Sequence, residues 1–482
     1  ERTAHPYKQW LDDFITQVAA AWVLSCVFVR FLEDNALIDP PRIAGPGPRL
    51  DRARDEHTMF FQGERANLTH REYLLDIFDG LAQSSAGKDV FGPHNPLRAL
   101  PNWLGPDAAG ELLRFFQKID SDSGRLVHDF TDPPQQDGSG WDTRFLGDLY
   151  QDLSEAARKK YALLQTPEFV EEFILDRTLD PALDEFGLTL VREGEAPAEP
   201  QTANGSAGAS PSRFKMIDPA CGSGHFLLGA FPRILDRWQR AEPGTNVRVL
   251  VQRTLDSIHG VDINPFAIAI ARFRLLLAAL RACGITRLVD APPFELNLAC
   301  GDSLYHGRQV QLTLGDDWTD ESHYFHTEDA EHLRRILKEG TFHCVVANPP
   351  YITPKDRAAR ETYKRLYKSC YMKYSLSAPF MERIFGLAIR SGFTGQITAN
   401  SFMKREFGRL LVEKLVPTWD LESLIDSDKA QIPGHATPTI ILFGRNRAPS
   451  GRVRLVSGEK KEIPAPDCPK DGAVWQAILN QI

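Results

Sequence analysis

Apolar residues recur at steps of three and four in the first part of the chain, which is the period of a helix with one buried face. The positions that carry this pattern are Ile15, Val18, Trp22, Cys26 and Val29, and later Leu112, Leu113, Phe115, Phe116 and Ile119. We therefore expect residues 1–150 to form a mainly helical N-terminal domain. The apolar run Val18–Val29 is too short to span a bilayer and ends at Arg30, so we interpret it as a buried core helix.

After residue 212 the pattern changes to short apolar, β-branched runs that alternate with helical periods. The predicted strands are Phe214–Ile217, Ser257–Val261, Phe342–Ala347, Gln396–Ala399 and Thr439–Phe443. The predicted helices are Phe226–Trp238 and Pro265–Ala282. This alternation predicts an α/β fold with a mostly parallel sheet, whose ligands bind at the carboxyl ends of the strands.

Composition indicates where these regions end. Residues 192–212 are rich in Glu, Ala, Pro, Gly, Ser and Thr, which is typical of a flexible linker. We expect this linker to lie inside a second domain of residues 151–446, and residues 447–482 to begin a C-terminal region that is cut short. The seven cysteines contain no Cys-x-x-Cys pair, which favours reduced thiols in a cytoplasmic protein and no metal site.

A glycine-rich turn follows the first predicted strand of the sheet. It reads Asp218-Pro219-Ala220-Cys221-Gly222-Ser223-Gly224. Gly222 and Gly224 would let a ligand approach the backbone, and Asp218 at the strand end could face an ammonium or hydroxyl group. The segment lacks the Gly-Lys-Ser/Thr of a phosphate-binding loop, and a purely structural turn would also explain it.

Two further acidic residues occupy comparable positions. Asp262 and Ile263 close the second predicted strand, where an acid can hold the two hydroxyls of a ribose. Asp262 lies farther from the glycine turn than the roughly 20 residues typical of dinucleotide folds, which disfavours an NAD domain. Asp302 and Ser303 follow the apolar Phe294–Leu298, and the Asp302 carboxylate could accept a hydrogen bond from the exocyclic amine of adenine or be a simple turn residue.

The predicted strand Phe342–Ala347 runs directly into Asn348-Pro349-Pro350-Tyr351. The two prolines must end the strand, because proline cannot donate to a central ladder. The Asn348 side-chain carbonyl and the Pro349 backbone carbonyl could both accept from a planar –NH2 group, while the Tyr351 ring could stack on a flat base. These groups suit methylation of an exocyclic amine without a metal, although four such residues alone would also fit a proline-rich turn.

Together the motifs resemble the DNA amino-methyltransferases that use S-adenosylmethionine, in particular the adenine-N6 enzymes of the gamma order. The resemblance implies a Rossmann-like S-adenosylmethionine-dependent methyltransferase sheet, with Asp262 on the ribose of the cofactor, Asp302 on its adenine and Tyr161–Pro167 at its methionine end. The implied cofactor-binding residues are Thr166, Pro167, Asp218, Pro219, Ala220, Gly222, Gly224, Asp262, Ile263, Asp302 and Ser303. The implied catalytic residues are Asn348, Pro349, Pro350 and Tyr351.

Two N-terminal segments, Trp22–Asn35 and Trp141–Tyr150, resemble the methyltransferases of BREX phage-exclusion systems, most of all their type 2 form. This resemblance implies site-specific methylation of a flipped adenine in a bacterial anti-phage defence. It implies double-stranded DNA and other defence proteins as partners, and no membrane. In related enzymes an aromatic residue clamps the flipped base from the region matched by Ile432–His435, where Ile432 or His435 would have to serve.

The formal net charge of −8 and the pI of about 5.9 offer no general argument for DNA binding, but the charge is unevenly distributed. Asp316–Glu331 has seven acidic residues and no Lys or Arg, which predicts a solvated surface insertion. Between Lys355 and Tyr374, seven basic residues stand against two acidic ones. The residues there that we expect to contact DNA phosphates are Lys355, Arg357, Lys364, Arg365 and Lys368.

The same basic segment holds a repeat of tyrosines. The repeat consists of Tyr363, Tyr367, Tyr371 and Tyr374, at the steps of a helix. We predict that they form one helical stripe beside the basic residues. Such a stripe could face DNA or pack into the core.

Several alternatives stay open at this point. Protein methyltransferases that modify glutamine share Asn-Pro-Pro-Tyr, although they are much smaller. A cytosine-C5 enzyme would need a Pro-Cys nucleophile, which this chain lacks, and an N4-cytosine enzyme more often has Ser in place of Asn348. The chain could also be part of a bifunctional restriction–modification enzyme, or a non-catalytic cofactor-binding subunit that recognises DNA.

Overall fold

The computed structural model describes residues 7–132, 143–153, 166–188, 214–308, 330–427, 438–457 and 468–482. Some of the predicted features lie outside these ranges. They are Trp141 and Asp142, the segment Tyr161–Gln165, the linker 192–212, the acidic residues from Asp316 to Asp329, and the region Ile432–His435.

The described elements of regular structure are as follows. The helices are α1 (Tyr7–Asp34), α2 (Pro48–Phe60), α3 (His70–Gln83), α4 (Lys88–Phe91), α5 (Pro96–Ala99), α6 (Pro106–Phe116), α7 (Arg144–Leu153), α8 (Glu168–Phe186), α9 (His225–Ala241), α10 (Val247–Ser257), α11 (Pro265–Ala282), α12 (Ala330–Ile336), α13 (Arg357–Leu366), α14 (Ser377–Leu387), α15 (Ser401–Lys404) and α16 (Ala473–Leu479). The strands are β1 (Met216–Asp218), β2 (Ile258–Asp262), β3 (Asn297–Cys300), β4 (Phe342–Ala347), β5 (Ala388–Ala399), β6 (Asp420–Asp426), β7 (Thr439–Arg445) and β8 (Arg454–Ser457).

The chain divides into two compact units, each built from two stretches of sequence. Unit 1 comprises Glu1–Leu163 and Asn264–Leu296, and unit 2 comprises Leu164–Ile263 and Asn297–Ile482. The sequence placed residues 264–296 in the second domain, whereas the structure groups them with the first unit. The predicted division at residue 150 otherwise stays a prediction.

Unit 1 is helical in its described part, and the two helices predicted from apolar periodicity correspond to α1 and α6. Ile119 was predicted in the second helix, but it lies beyond the end of α6 and forms an isolated β-bridge with Leu126. The buried Phe28 of α1 stacks on Phe273 of α11 with the ring centroids 4.4 Å apart. Among the described helices, α1 alone is long and apolar enough to pass a length-and-composition test for a membrane span. The most apolar window of α1 is 72% buried inside the protein, which is how a core helix behaves.

A buried ionic network lies at the end of α1. The Arg30 guanidinium is 3.4 Å from Glu33 Oε2 and 2.8 Å from the Asp34 carboxylate, and all three side chains are fully buried. Glu33 accepts hydrogen bonds from the backbone N–H groups of residues 42–44, and Asp34 accepts one from Phe130 N at 2.8 Å. The charged end of the Trp22–Asn35 motif therefore fastens two loops of unit 1 to α1.

Unit 2 contains an eight-stranded sheet with the strand order β3-β2-β1-β4-β5-β7-β6-β8. β1 pairs in parallel with β2 and β4, β2 with β3, β4 with β5, and β6 with β8. Only β7 among the described strands runs antiparallel to its neighbours, β5 and β6. The prediction of a mostly parallel α/β sheet is therefore confirmed, and Phe342–Ala347 has the predicted bounds.

Helices pack on both faces of the central strands, which explains why those strands are continuous apolar runs. Ile217, Val345 and Ala347 form a buried cluster with Ile384 and Leu387 of α14. Helix α8 packs closely on β5 at Gly395. A Cβ at this position would lie 2.6 Å from the side chain of Thr178 of α8. Because β1 to β5 are mutually parallel, their carboxyl ends meet at one edge of the sheet, where parallel α/β folds bind ligands.

Candidate active site

The glycine turn clips the end of β1 to the end of β2. Gly222 N donates to Asp262 Oδ2 at 2.9 Å, and Cys221 N donates to Val261 O at 3.1 Å. Gly222 and Gly224 have φ angles of 53° and 87°, which glycine adopts without the steric cost that a side chain would bring. The tight turn predicted from the sequence is present, with the half-buried Asp262 beside its backbone.

Asp218 is a buried carboxylate at the start of this turn. It is 2% exposed, and its Oδ1 accepts from Ala220 N at 2.9 Å. Burial raises the pKa of Asp218 well above its usual value, the Asp262 carboxylate raises it further, and the Ala220 N–H lowers it. Burying such a carboxylate costs free energy, and a ligand that presents a hydroxyl or a cationic group to it would offset this cost.

The loop after β3 folds around Asp302. Its Oδ1 accepts from Leu304 N at 2.8 Å and Tyr305 N at 3.2 Å, and its Oδ2 accepts from the Tyr363 hydroxyl. Burial raises the pKa of Asp302, although these hydrogen bonds lower it. The adjacent Ser303 is 3% exposed, and its hydroxyl has no hydrogen-bond partner among the described atoms.

The side chain of Asn348, directly after β4, is held at both ends of its amide. Nδ2 donates to Thr166 Oγ1 at 3.1 Å, and the Tyr351 hydroxyl donates to Oδ1 at 2.6 Å. Burial raises the pKa of Tyr351, so this hydroxyl remains a donor throughout the ordinary pH range. The structure thus brings together Thr166, from the predicted cofactor cap, and two residues of the predicted catalytic motif.

The parallel register places the remaining predicted residues at the same edge of the sheet. Asp218, Asp262 and Asn348 lie at or directly after the ends of β1, β2 and β4, and Asp302 follows β3. Pro167 is the residue before α8. The others differ in exposure: Pro219 and Pro349 are buried, Ala220 and Pro350 are partly buried, and Ile263 is exposed.

The basic segment contains the amphipathic helix α13. Asp356 caps its N-terminus by accepting from Ala359 N at 2.8 Å, while Tyr363 and Leu366 face the core. The five residues predicted to contact DNA are all exposed, three on α13 and two beside it: Arg357, Lys364, Arg365, Lys355 and Lys368. We call this set the basic face of α13.

The prediction of a single helical tyrosine stripe is wrong, because α13 ends at Leu366 and Tyr367 is already in an extended conformation. Tyr363, Tyr367 and Tyr374 are buried in one hydrophobic cluster. Their hydroxyls bond inside the protein, with Tyr367 donating to Leu304 O at 2.8 Å and Tyr374 to Arg360 O at 2.8 Å. These three rings therefore belong to the core, which was one of the two alternatives open from the sequence.

Sequence reasoning missed Arg383, which is fully buried on α14. Its guanidinium donates to the backbone carbonyls of Ser303, His306 and Leu337 at 3.0, 2.9 and 2.8 Å. The signal that could have identified it was an arginine inside the helix Ser377–Leu387, whose other residues are apolar except for Ser377, Glu382 and Gly386. Arg383 fixes the shape of the loop that carries Asp302.

A row of polar side chains on β5 and directly after it was also missed. Gln396, Thr398 and Asn400 are buried, and each has a side-chain atom without a hydrogen-bond partner among the described atoms. Gln396 pairs in register with Ala347, the residue before Asn348. Alternate polar residues within an apolar strand were the sequence signal.

Metal ligands do not gather anywhere in the described part of the chain. No group of three or more His, Cys, Asp or Glu side chains there could hold a metal ion. The described site consists instead of carboxylates, an amide, hydroxyls and the backbone of a glycine turn. Such groups recognise a polar organic ligand by hydrogen bonds.

Comparison with known proteins finds similarity to DNA-modifying methyltransferases. The Eco57I restriction-modification methylase family model matches residues 256–432. The adenine-specific methyltransferase PglX of Streptomyces coelicolor is 48% identical over 503 aligned residues, which cover 100% of this chain and 39% of that protein. The type II methyltransferase M.PaeR7I of Pseudomonas aeruginosa is 26% identical over 50% of this chain and 37% of its own length.

The chain thus spans well under half the length of both curated relatives. The likeness to solved structures is remote. A cryo-electron microscopy structure of a DrdV–DNA complex aligns with 92% of this chain and 37% of that chain, with a TM-score of 0.48 and 10% identity.

Proposed function

We propose, on the premise that this chain is a relative of the adenine-specific methyltransferase PglX over its whole length, that it methylates adenine N6 at specific sites in DNA. Methyltransferase relatives imply S-adenosylmethionine as the methyl donor. We further propose that the chain serves a BREX-like anti-phage defence, the systems that its N-terminal segments resemble. The observation that carries the proposal is the Asn348 amide, fixed by Thr166 and Tyr351 beside the acids of β1 and β2.

The hydrogen-bonding groups of the described residues match those of S-adenosylmethionine. Gly222 and Gly224 leave the turn open for close approach, and the carboxylates of Asp218 and Asp262 can accept from an ammonium and from ribose hydroxyls. The buried Ser303 hydroxyl, without a partner among the described atoms, is the kind of group that a polar ligand satisfies. S-adenosylmethionine, when bound there, would supply an activated methyl group.

We assign the handling of the target amine to the Asn-Pro-Pro-Tyr segment. An exocyclic amine is a poor nucleophile because its lone pair is delocalised into the ring. The Asn348 and Pro349 carbonyls would accept from the two N–H groups and so draw the nitrogen toward tetrahedral geometry. The Tyr351 hydroxyl keeps Oδ1 of Asn348 oriented, and the Thr166 contact keeps the two ends of the amide from exchanging places.

We assign DNA binding to the basic face of α13. A base inside a duplex must leave the stack before its amine can be reached, at a cost of roughly a few kcal/mol. Phosphate contacts by exposed Lys and Arg near the catalytic segment would help to offset this cost. This exposed basic helix favours a nucleic acid over a glutamine side chain as the substrate. We infer a cytoplasmic enzyme with no membrane partner and with other defence proteins as candidate partners.

The test is transfer of a labelled methyl group from S-adenosylmethionine to unmethylated phage DNA. The expected product after digestion is N6-methyladenine, and Asn348→Ala should abolish its formation. The Asn348→Ala variant should still bind S-adenosylmethionine in calorimetry, which separates lost chemistry from lost folding.

Three outcomes would contradict the proposal. Folded wild-type chain that does not bind S-adenosylmethionine would remove the cofactor assignment. Label found in cytosine or in protein would change the substrate. Equal incorporation by wild type and Asn348→Ala would remove the catalytic assignment.

A further inference from the structure

Helix α13 is bound on its buried side to the loop that carries Asp302, which we define as residues 302–308. The Tyr363 hydroxyl donates to Asp302 Oδ2, and the Tyr367 hydroxyl donates to Leu304 O at 2.8 Å. In return, the Arg308 guanidinium donates to Leu366 O at 2.9 Å. The loop and the C-terminal end of α13 are therefore joined from both directions.

These contacts are shielded from solvent. Tyr363 is 6% exposed, Tyr367 is 1% exposed and Asp302 is 4% exposed. The Arg308 guanidinium also lies over the Tyr367 ring, 4.5 Å from its centroid. Because buried hydrogen bonds and close packing allow little independent movement of α13 and the loop, a shift of α13 must move the loop as well.

The opposite side of the same helix is the basic face. Arg357, Lys364 and Arg365 are exposed on α13; Lys364 and Arg365 lie within one turn of Tyr363, and Arg357 lies less than two turns before it. A single ten-residue helix thus presents cations to solvent on one side and a phenol to a buried carboxylate on the other. Ligands on the two sides would act on one rigid element.

We propose that Tyr363 is a positioning residue that couples DNA binding at the basic face of α13 to cofactor binding at Asp302. The inference rests on the proposed function, which supplies both ligands. Asp302 Oδ1 already accepts from two backbone N–H groups, so Oδ2 is the oxygen that Tyr363 orients. A carboxylate oxygen has room for a second donor, and the adenine amine of the cofactor would take that place.

The coupling should be positive. Phosphates that fix α13 would also fix the Tyr363 hydroxyl, and the loop would then be ordered before the cofactor arrives. Two ligands that order the same element favour each other's binding, and the factor must be equal in both directions. A factor of about 5 or more is expected for coupling of this kind.

The test measures the affinity for sinefungin, a non-reactive analogue of S-adenosylmethionine, with and without a saturating DNA duplex at low salt. Wild type should bind the analogue about 5-fold or more tightly with DNA present. Tyr363→Phe keeps the ring but removes the donor, and its ratio should fall toward one. The reciprocal measurement, DNA affinity with and without the analogue, should change by the same factor.

The matched control is Tyr374→Phe. Tyr374 is fully buried in the same cluster, but its hydroxyl donates to Arg360 O of α13 itself rather than to the loop. This variant loses one buried phenol hydrogen bond, so it reports the structural cost alone. It should keep the wild-type ratio.

A second readout needs no cofactor. The Leu304 and Tyr305 amides donate to Asp302 Oδ1, so their hydrogen exchange reports the order of the loop. DNA should slow this exchange in wild type and in Tyr374→Phe, but not in Tyr363→Phe. Tyr363→Phe with an unchanged affinity ratio or unchanged protection would overturn the coupling. A wild-type ratio of one would overturn it as well, while the proposed function would stand. Wild type that binds neither ligand would overturn both.

Discussion

The two units of this chain each bury a cluster of acids, and the clusters differ in what surrounds them. In unit 1, Glu33 and Asp34 share the Arg30 guanidinium, and both accept hydrogen bonds from backbone N–H groups of loops outside α1. In unit 2, Asp218 accepts from Ala220 N within its own turn and lies near a second acid, Asp262. In unit 1 the chain itself supplies the cation and the hydrogen-bond donors that offset the cost of burying the acids. In unit 2 a ligand would have to supply them.

The pKa values follow this difference. Burial raises the pKa in every case, but at Glu33 and Asp34 the Arg30 charge is the second-largest cause and lowers the pKa. At Asp218 the neighbouring carboxylate raises the pKa further. In unit 1 the fold supplies a cation that partly offsets the burial of the acids, whereas the charge that acts on Asp218 is that of a second acid, an arrangement that indicates a binding site.

The first prediction tests whether the buried ionic network of unit 1 stabilises the protein. Arg30→Met should lower the free energy of unfolding by about 3–5 kcal/mol, because it leaves two buried carboxylates without their cation. Urea unfolding measures this loss. The matched control is Arg54→Met, since Arg54 is exposed and pairs with an exposed Asp51, so that change should stay within about 0.5 kcal/mol. Equal stabilities of the two variants would show that the buried network does not hold unit 1.

The pH dependence of stability sharpens the contrast. Burial raises the pKa of Asp34 to about 6, from an ordinary value of 3.8, although Arg30 lowers it. Between these two values the folded state binds more protons than the unfolded state, so stability should fall as pH rises through that window. The contribution is at most about 3 kcal/mol. Urea unfolding of wild type and Asp34→Asn from about pH 4 to pH 7 should give curves that diverge there, and parallel curves would contradict the assignment.

Much of the fold was predictable because its strands carry their signal locally. Phe342–Ala347 is buried on both faces, so its apolar, β-branched run alone gave correct bounds. The placement of α11 in unit 1 was not predictable, because it depends on the packing of Phe273 against Phe28, far away in sequence. The tyrosine repeat was misleading for a similar reason. A period of four continues through the end of α13, and only the extended conformation of Tyr367 breaks it.

The arrangement of the candidate site was predictable only where a turn directly follows a strand. Asp218, Gly222 and Asn348 lie at such positions, whereas Arg383 acts on the Asp302 loop from a helix that is distant in sequence. Nothing in a local pattern shows that a buried arginine will donate to the carbonyl of Ser303. Likewise, the Thr166–Asn348 hydrogen bond joins two motifs that only the folded sheet brings together.

Removal of one charge at the unit 2 cluster should have the opposite consequence from Arg30→Met. Asp218→Asn keeps the size of the side chain and its acceptor for Ala220 N, but it removes a buried charge whose pKa is raised. Stability should therefore be unchanged or higher. The affinity for S-adenosylmethionine, measured by calorimetry, should fall by about 1–3 kcal/mol, since the hydrogen bond to a charged acceptor is lost.

The control for Asp218→Asn is Asp107→Asn, which removes an exposed acid of unit 1 and should change neither quantity. A loss of stability with unchanged affinity in Asp218→Asn would place this acid in the same class as Glu33. The distinction between the two clusters would then disappear.

The smallest expected effect gives the most direct comparison, since it uses the same substitution in both units. Ser25 and Ser303 are both buried, but the Ser25 hydroxyl donates to Asn95 Oδ1 at 3.4 Å, while that of Ser303 has no partner among the described atoms. Ser25→Ala should lower stability by about 0.5–1 kcal/mol and leave S-adenosylmethionine affinity unchanged. Ser303→Ala should leave stability unchanged and weaken binding by about 0.5–1.5 kcal/mol. If Ser303→Ala destabilised the protein instead, the Ser303 hydroxyl would have a hydrogen-bond partner within the fold. The buried Ser303 hydroxyl would then no longer indicate a ligand-binding site in unit 2.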